Sequence, residues 1–208
     1  MRAMNTVVAA GREDVSHLAG LAAAYTWDTT AAAWLVPEVQ DRPQVLVAWY
    51  SLLVEQALRR GHADWTGDRR AAAIWLDNTR PALSLPHYLG RLTAACGRHA
   101  IPLLTYQRLL ERCGPRTAHL QLVVLAGDPQ SAHQLLARRH RSLDRSGTAA
   151  FTAAADAAQV KVLTAAGYKL VPPCRLPGGP ELLLMRRPPA RANRAPAAAA
   201  ARAAGRAS

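Results

Sequence analysis

The chain is poor in several residue types, and each shortage excludes something. Phenylalanine occurs once, at Phe151, and lysine only at Lys161 and Lys169, so all but two of the 26 basic residues are arginine. Acids number 14, which leaves a formal charge of +12. Such a surplus fits either a basic face for a polyanion or arginine-biased coding. Arginine, alanine and proline are all heavy here, which favours the coding explanation. The three cysteines, Cys96, Cys113 and Cys174, lie far apart and make no CxxC pair. An odd, scattered set is no disulfide framework and no zinc ribbon, and it predicts reduced thiols and a cytoplasmic protein. The longest apolar run is far short of a membrane span. The stretch "MRAMNTVVAAGRED" lacks the hydrophobic region of a secretory leader. Half the residues are hydrophobic, but many of these are alanine, so the bulky core must be economical.

What is present reads as one α/β domain over 1–187, with a tail over 188–208. Residues from Met4 to Ala10 predict a first strand. A helix follows, with Val15, Leu18, Leu21, Ala22 and Tyr25 at helical spacing and Asp14 placed to cap it. "AAAWLVPEV" reads as an irregular connection broken by Pro37. "RPQVLVAWYSLLVEQALRRG" is the clearest helix: Val45, Trp49, Leu52 and Leu53 share a face, Pro43 suits the first turn and Gly61 ends it. "HADWTGDRRAAAIWLD" predicts a hairpin turning at Gly67-Asp68. Pro81 and Pro86 break the next stretch, and helices follow at 87–98 and 105–113. "HLQLVVLAG" is a strand apolar on both faces. The next helix starts at Pro129 and stops at Gly147. "AAFTAAA" predicts a strand, "AQVKVLTAAG" a helix stopped by Gly167, and "YKLVPPCRL" and "ELLLMRR" two strands joined at Pro177–Pro180. Alternation in the second half implies a parallel pair within a mixed sheet. Beyond Arg187, the stretch 188–208 holds Arg191, Arg194, Arg202 and Arg206 and no acid, and it reads as a disordered, solvated tail.

Four strings, in order and at matching spacing, carry a resemblance: "REDVSHLAGLAAAY", "AAAIWLD", "LAGDP" and "RLPGGPELLLMRRP". They resemble the first helix, a tryptophan-containing strand, the turn after the central strand and the closing hairpin of the GCN5-related N-acetyltransferase (GNAT) superfamily. They are most similar to its puromycin N-acetyltransferase-like members. The spacing of Leu135-Leu136, Asp144, Gly147 and Phe151 agrees, and the match extends to Pro188. The resemblance implies a mixed central sheet flanked by helices, acetyl-coenzyme A as cofactor and an amine as acceptor. In that family the cofactor's diphosphate sits on backbone N–H groups of a Gln/Arg-x-x-Gly-x-Gly/Ala loop at a helix N-terminus.

Measured against that pattern, the chain is short. Between Pro129 and Leu135 it has only "QSAHQ"; about five residues and every glycine of the loop are missing. Losing three hydrogen bonds to a charged group, each contributing roughly 1.5–3 kcal/mol, weakens binding on the order of a thousandfold or more. Where the family has a glutamate, an asparagine and a tyrosine for proton transfer and positioning, this chain has Ala153, Gln159 and Leu163. Tyr168 aligns with a core aromatic. The expectation is therefore a divergent N-acetyltransferase-like protein with no catalytic side chain. Its residual acetyl-coenzyme A site comprises Leu125, Ala126, Gly127, Gln130, Ser131, His133 and Gln159, and its binding is weak or absent. Arg138 and Arg139 read as an ordinary solvated helix face rather than replacement phosphate ligands.

Two alternatives stand beside that expectation. One is an active acetyl-coenzyme A-dependent transferase of a small amine, working through backbone positioning. The other is a nucleic-acid binder using the tail, disfavoured because no aromatics interleave with its arginines. The expected partner is a small amine or a protein, with neither a membrane nor a metal. His133, His140, His119 and Cys113 match no common zinc spacing and read as scattered surface residues. "GDRR" and "RRHR" read as solvated faces. Trp49 and Trp75 read as core.

Overall fold

The computed structural model describes residues 6–78 and 85–190. The predicted break at Pro81 and the tail from residue 191 lie outside the described residues. The chain forms β1 (Val7–Ala9), α1 (Val15–Thr26), α2 (Thr30–Leu35), α3 (Arg42–Arg60), β2 (Gly61–Thr66), β3 (Ala72–Asp77), α4 (Leu85–Cys96), α5 (Ala100–Cys113) and β4 (His119–Ala126). It continues with α6 (Pro129–Ser146), β5 (Ala149–Ala154), α7 (Ala157–Ala165), β6 (Lys169–Leu170), β7 (Cys174–Arg175) and β8 (Glu181–Arg187). The sheet order is β1-β2-β3-β4-β5-β8-β6, with β7 paired to β8 alone. Among the described residues β4 and β5 form the one parallel pair, linked by α6 as crossover. This is the single α/β domain with a mixed central sheet that the element pattern implies.

Strand alternation divides the core between the two faces of the sheet. Ile74 and Val124 pack with Leu18, Leu46 and Leu53 under α1 and α3. Trp75, Leu122 and Leu125 pack with Leu135, Leu136 and Leu163 under α6 and α7. Leu122 and Leu125 are three apart yet share a face. A bulge makes this possible: Ile74 pairs with Val124 and Trp75 with Leu122, which leaves Val123 without a partner on β3.

The ends of α6 follow directly from its sequence. Pro129 occupies the first turn, where a missing N–H costs nothing. Gly147 closes the helix in the left-handed region at φ 68°. Gly127, just before α6, has φ +117°, and a Cβ there would stand 2.3 Å from that of Ala71. The turn from β4 into α6 therefore requires glycine at this position.

Several expectations are corrected. "AAAWLVPEV" holds a short helix, α2, capped by Thr29, whose hydroxyl accepts from the Ala32 N–H. Asp14 does not cap α1; its carboxylate reaches back to the Gly11 N–H at 2.8 Å. The buried stripe of α1 is Leu18, Ala19, Ala22 and Ala23, and Tyr25 is exposed. α4 begins and ends two residues earlier than predicted, α5 begins five residues earlier, and the two meet at a tight turn, Gly97–His99. "YKLVPPCRL" is two short strands, because Pro172 and Pro173 have no N–H to pair. Arg186 and Arg187 end β8, as the predicted strand "ELLLMRR" has them. Arg187 grips Asp144 with two bonds of 2.8 Å, and the Ala190 N–H donates to the same carboxylate.

Candidate functional site

The β4–β5 pairing stops at Leu122↔Thr152. Thr152 closes that last rung by donating its hydroxyl to the Leu122 carbonyl at 2.8 Å. Beyond it the two strands part, and a cleft of about 470 Å³ opens between Val123–Leu125 and Ala153–Asp156. Its far wall comes from the end of α1 and from α2, and its floor from Trp49, Tyr50 and Tyr106. A second cavity of about 280 Å³, walled by α3, α4 and α5, shares Trp49, Tyr50, Tyr106, Val123 and Ala153 with the cleft. The bulged residue Val123 thus lies where the two cavities adjoin.

Burial sets the electrostatics of the floor. It pushes the Tyr50 phenol up to about 12 and raises that of Tyr106 as well. Tyr25, at the rim, is raised first by burial and then by the negative charge of Asp156 on the opposite wall. Trp49 is buried, meets Tyr106 edge-on and sets its indole N–H toward the Tyr88 hydroxyl of the second cavity.

The start of α6 is occupied by its own chain. Asp128 is the N-cap: its carboxylate accepts from the N–H of Gln130 at 3.0 Å, the N–H of Ser131 at 3.1 Å and the Ser131 hydroxyl at 2.7 Å. These bonds, led by the Ser131 hydroxyl, hold the Asp128 carboxyl below its ordinary value. The Ala132 N–H bonds to the Asp128 carbonyl, and Pro129 has no N–H. Every donor in the first turn is therefore accounted for.

The start of α7 is similarly committed. Asp156 caps it through the Gln159 N–H at 2.7 Å. The buried Gln159 side chain donates to the Leu125 carbonyl at 3.0 Å and accepts from the Ala155 N–H at 2.7 Å. It bridges the parted ends of β4 and β5.

Of the sequence-predicted site residues, only Leu125 and Gln159 line the cleft, and they bond to each other. Gln130 and Ser131 gather around Asp128. Ala126 is buried beside α1, Gly127 makes the turn, and His133 faces solvent. Ala153 lies between the two cavities, whereas Leu163 is fully buried under α7. Tyr168 is core as expected, with its hydroxyl 3.2 Å from His140 Nε2. His140 and His119 are buried, which corrects their reading as surface histidines. Arg139 is not a solvated face either: its guanidinium lies 2.5 Å from the buried Asp64 carboxylate. Cys113 and Cys174 are joined in a disulfide that ties the end of α5 to β7, correcting the expectation of three free thiols. Sequence reasoning missed the Asp128 cap, although an Asp immediately before a helix-starting Pro is a recognisable signal. It also missed the acids and aromatics of the cleft, which converge from distant segments.

The chain superposes on solved acetyltransferases over nearly its whole length. A structure described as histone acetyltransferase HPA2 and related acetyltransferase, from Corynebacterium glutamicum, matches with a TM-score of 0.61 at 21% identity, covering 90% of this chain and 98% of that one. Arylalkylamine N-acetyltransferase 2 from Aedes aegypti matches with 0.57 at 12% identity, covering 88% and 98%. Drosophila melanogaster polyamine N-acetyltransferase matches with 0.55 at 13% identity over the same shares. The fold is that of the GCN5-related N-acetyltransferases. At these identities the likeness concerns the fold and not the activity. No family model and no curated protein matches the sequence. Among the described residues of this N-acetyltransferase fold, no helix is long and apolar enough to cross a membrane.

Proposed function

We propose that this is a divergent N-acetyltransferase-fold protein, nearest in its sequence strings to the puromycin N-acetyltransferase-like members, that binds a small ligand and does not turn over acetyl-coenzyme A. One observation carries the reading: Asp128 fills the helix end where a diphosphate would sit. A phosphate nest needs several N–H groups pointing at the anion. Here the two free amides of the first turn already bond a carboxylate, and that carboxylate repels a second anion. The residues present therefore do not fit the cofactor. Ala153 and Leu163 transfer no protons, and Gln159 is engaged at both ends of its amide. The thiol argument for a cytoplasmic location lapses with the Cys113–Cys174 bond.

A second reading, an active transferase of a small amine, is favoured by Val123. This residue has no partner on β3 or β5, which suits catalysis by backbone positioning. Thermal unfolding with acetyl-coenzyme A up to millimolar concentration decides between the two. The proposed reading expects no shift. Stabilisation approaching ~2.7 kcal/mol, the value at a hundredfold excess over the dissociation constant, would establish cofactor binding and overturn it.

A further inference from the structure

We propose that Glu38, Asp41 and His99 form a site for a zinc-type divalent cation, where the turn before α3 meets the turn between α4 and α5. None of the three lines either cavity, so the site is independent of what the cleft binds. Among the described residues they form one group of three whose donor atoms all lie within 4.8 Å of one another. The backbone sets two of them. The N–H groups of Asp41 and Arg42 both donate to the Glu38 carbonyl, at 3.1 and 3.2 Å. Residues three apart on such a turn present their side chains together. The buried Arg42 guanidinium fastens the preceding loop by donating to the carbonyls of Trp27, Val36 and Pro37. His99 comes from the Gly97–His99 turn, which Gly97 opens in the left-handed region at φ 52°. Its Nε2 stands 3.8 Å from Asp41 Oδ2 and 4.0 Å from Glu38 Oε2.

Two further observations point to a ligand rather than to a solvated acidic patch. His99 is 6% exposed, and its Nε2 accepts from the Arg98 Nε–H at 3.3 Å. Arginine only donates, so this nitrogen carries a lone pair and not a proton. A buried, neutral imidazole set beside two carboxylates offers a donor to a metal. The other observation is Glu38 Oε2, which is closed off from solvent and accepts no hydrogen bond. A buried carboxylate oxygen left in that state is costly, and a cation between it and His99 removes the cost. Arg98 supplies the countercharge, 2.7 Å from Asp41 Oδ2 and 3.3 Å from Glu38 Oε1, but its side chain is 65% exposed and free to swing into solvent. Tetrahedral zinc with ligands at about 2.0–2.2 Å sets its donors about 3.4 Å apart, so the three side chains need to close by only about half an ångström. One imidazole nitrogen with two carboxylate oxygens suits zinc, whereas magnesium prefers oxygen donors and keeps its waters. A metal there ties the start of α3 to the α4–α5 pair, which walls the second cavity.

The test uses the full chain, freed of metal with a chelator and titrated calorimetrically with zinc chloride in a buffer that does not bind metal. A saturable binding event is expected, with a rise in melting temperature that the chelator reverses. Magnesium is expected to bind about tenfold or more weakly than zinc. Glu38→Gln and Asp41→Asn each replace a charged donor by an amide of the same shape, and each is expected to weaken zinc binding by about tenfold or more. Without metal both should melt like the parent, since Asp41 makes no side-chain cap to α3 and Glu38 Oε2 has no hydrogen bond to lose. Arg98→Gln removes the competing cation and is expected to bind zinc severalfold tighter than the parent. An arginine that merely supported a metal site would give the opposite result. The inference is overturned if the parent shows no saturable zinc binding or if magnesium binds as tightly as zinc. It is equally overturned if Glu38→Gln or Asp41→Asn binds zinc as tightly as the parent, or if Arg98→Gln binds it no tighter.

Discussion

Replacing Asp128 by alanine is expected to do two opposite things at once. The side chain receives three hydrogen bonds from residues 130 and 131. Removing an N-cap of this kind costs about 1 kcal/mol, within a range of roughly 0.5–2. For a domain of this size that lowers the melting temperature by about 2–4 °C. The same change frees the N–H groups of Gln130 and Ser131 at the positive end of an 18-residue helix and deletes the negative charge in front of them. Two hydrogen bonds to a charged ligand, each worth roughly 1.5–3 kcal/mol, correspond to an affinity gain of about two to four decades as an upper bound. Melting temperature is the assay, measured with and without acetyl-coenzyme A and, separately, inorganic pyrophosphate. Asp128→Ala should melt lower than the parent without ligand and be stabilised by both ligands. Asp128→Asn keeps the cap and keeps the amides occupied, so it should melt like the parent and respond to either ligand far less than the alanine variant. If the asparagine and alanine variants respond alike, or if the parent already binds acetyl-coenzyme A as tightly as the alanine variant, the blocked-helix argument is wrong.

Two further predictions concern stability. Burial, then the Arg187 charge, lowers His140 from its ordinary 6.5 to about 3, with Asp144 opposing. The unfolded chain therefore takes up a proton that the folded chain refuses, and stability falls as pH drops from about 6.5 toward 3, by at most about 1.4 kcal/mol per unit. Urea midpoints between pH 7.5 and 4.5 should show this decline in the parent and a flatter one in His140→Gln; an equal slope in both would refute it. The Cys113–Cys174 bond closes a loop with a sequence separation of 61. The chain-entropy relation gives a stabilisation of about 4 kcal/mol at 25 °C. Reductant should lower the unfolding midpoint of the parent and leave that of Cys113→Ser unchanged; no response in the parent would show that the bond contributes nothing.

The parts of the fold legible in the sequence were those whose cause is local. Pro129 and Gly147 marked α6 because one supplies no N–H and the other tolerates a left-handed backbone. The stop at Gly167 follows from the same chemistry, whereas the left-handed residue of the β2–β3 turn is Arg69 rather than Gly67. α2 was illegible because its alanines carry no amphipathic period and its start depends on one hydroxyl, that of Thr29. Arg139 looked solvated because its partner, Asp64, lies 75 residues earlier on β2. The pairing of Cys113 with Cys174 depends equally on tertiary structure. The short, glycine-free stretch "QSAHQ" was visible in the sequence. The Asp128 cap was not, because the carboxylate matters only through where its two amide donors point.

Deletion of a loop and internal satisfaction of a site are different events, and their consequences for a ligand differ. A site with unmet donors gains several hydrogen bonds when a ligand enters. Here the first turn of α6 is bonded to Asp128, and the gap between β4 and β5 is spanned by Gln159. A ligand that sought either set of backbone groups would have to exchange existing bonds for new ones, and an even exchange contributes little net free energy. Affinity must then come from other groups of the cleft, whose lining includes Asp28, Asp156 and Glu181. These carboxylates repel a diphosphate rather than attract it.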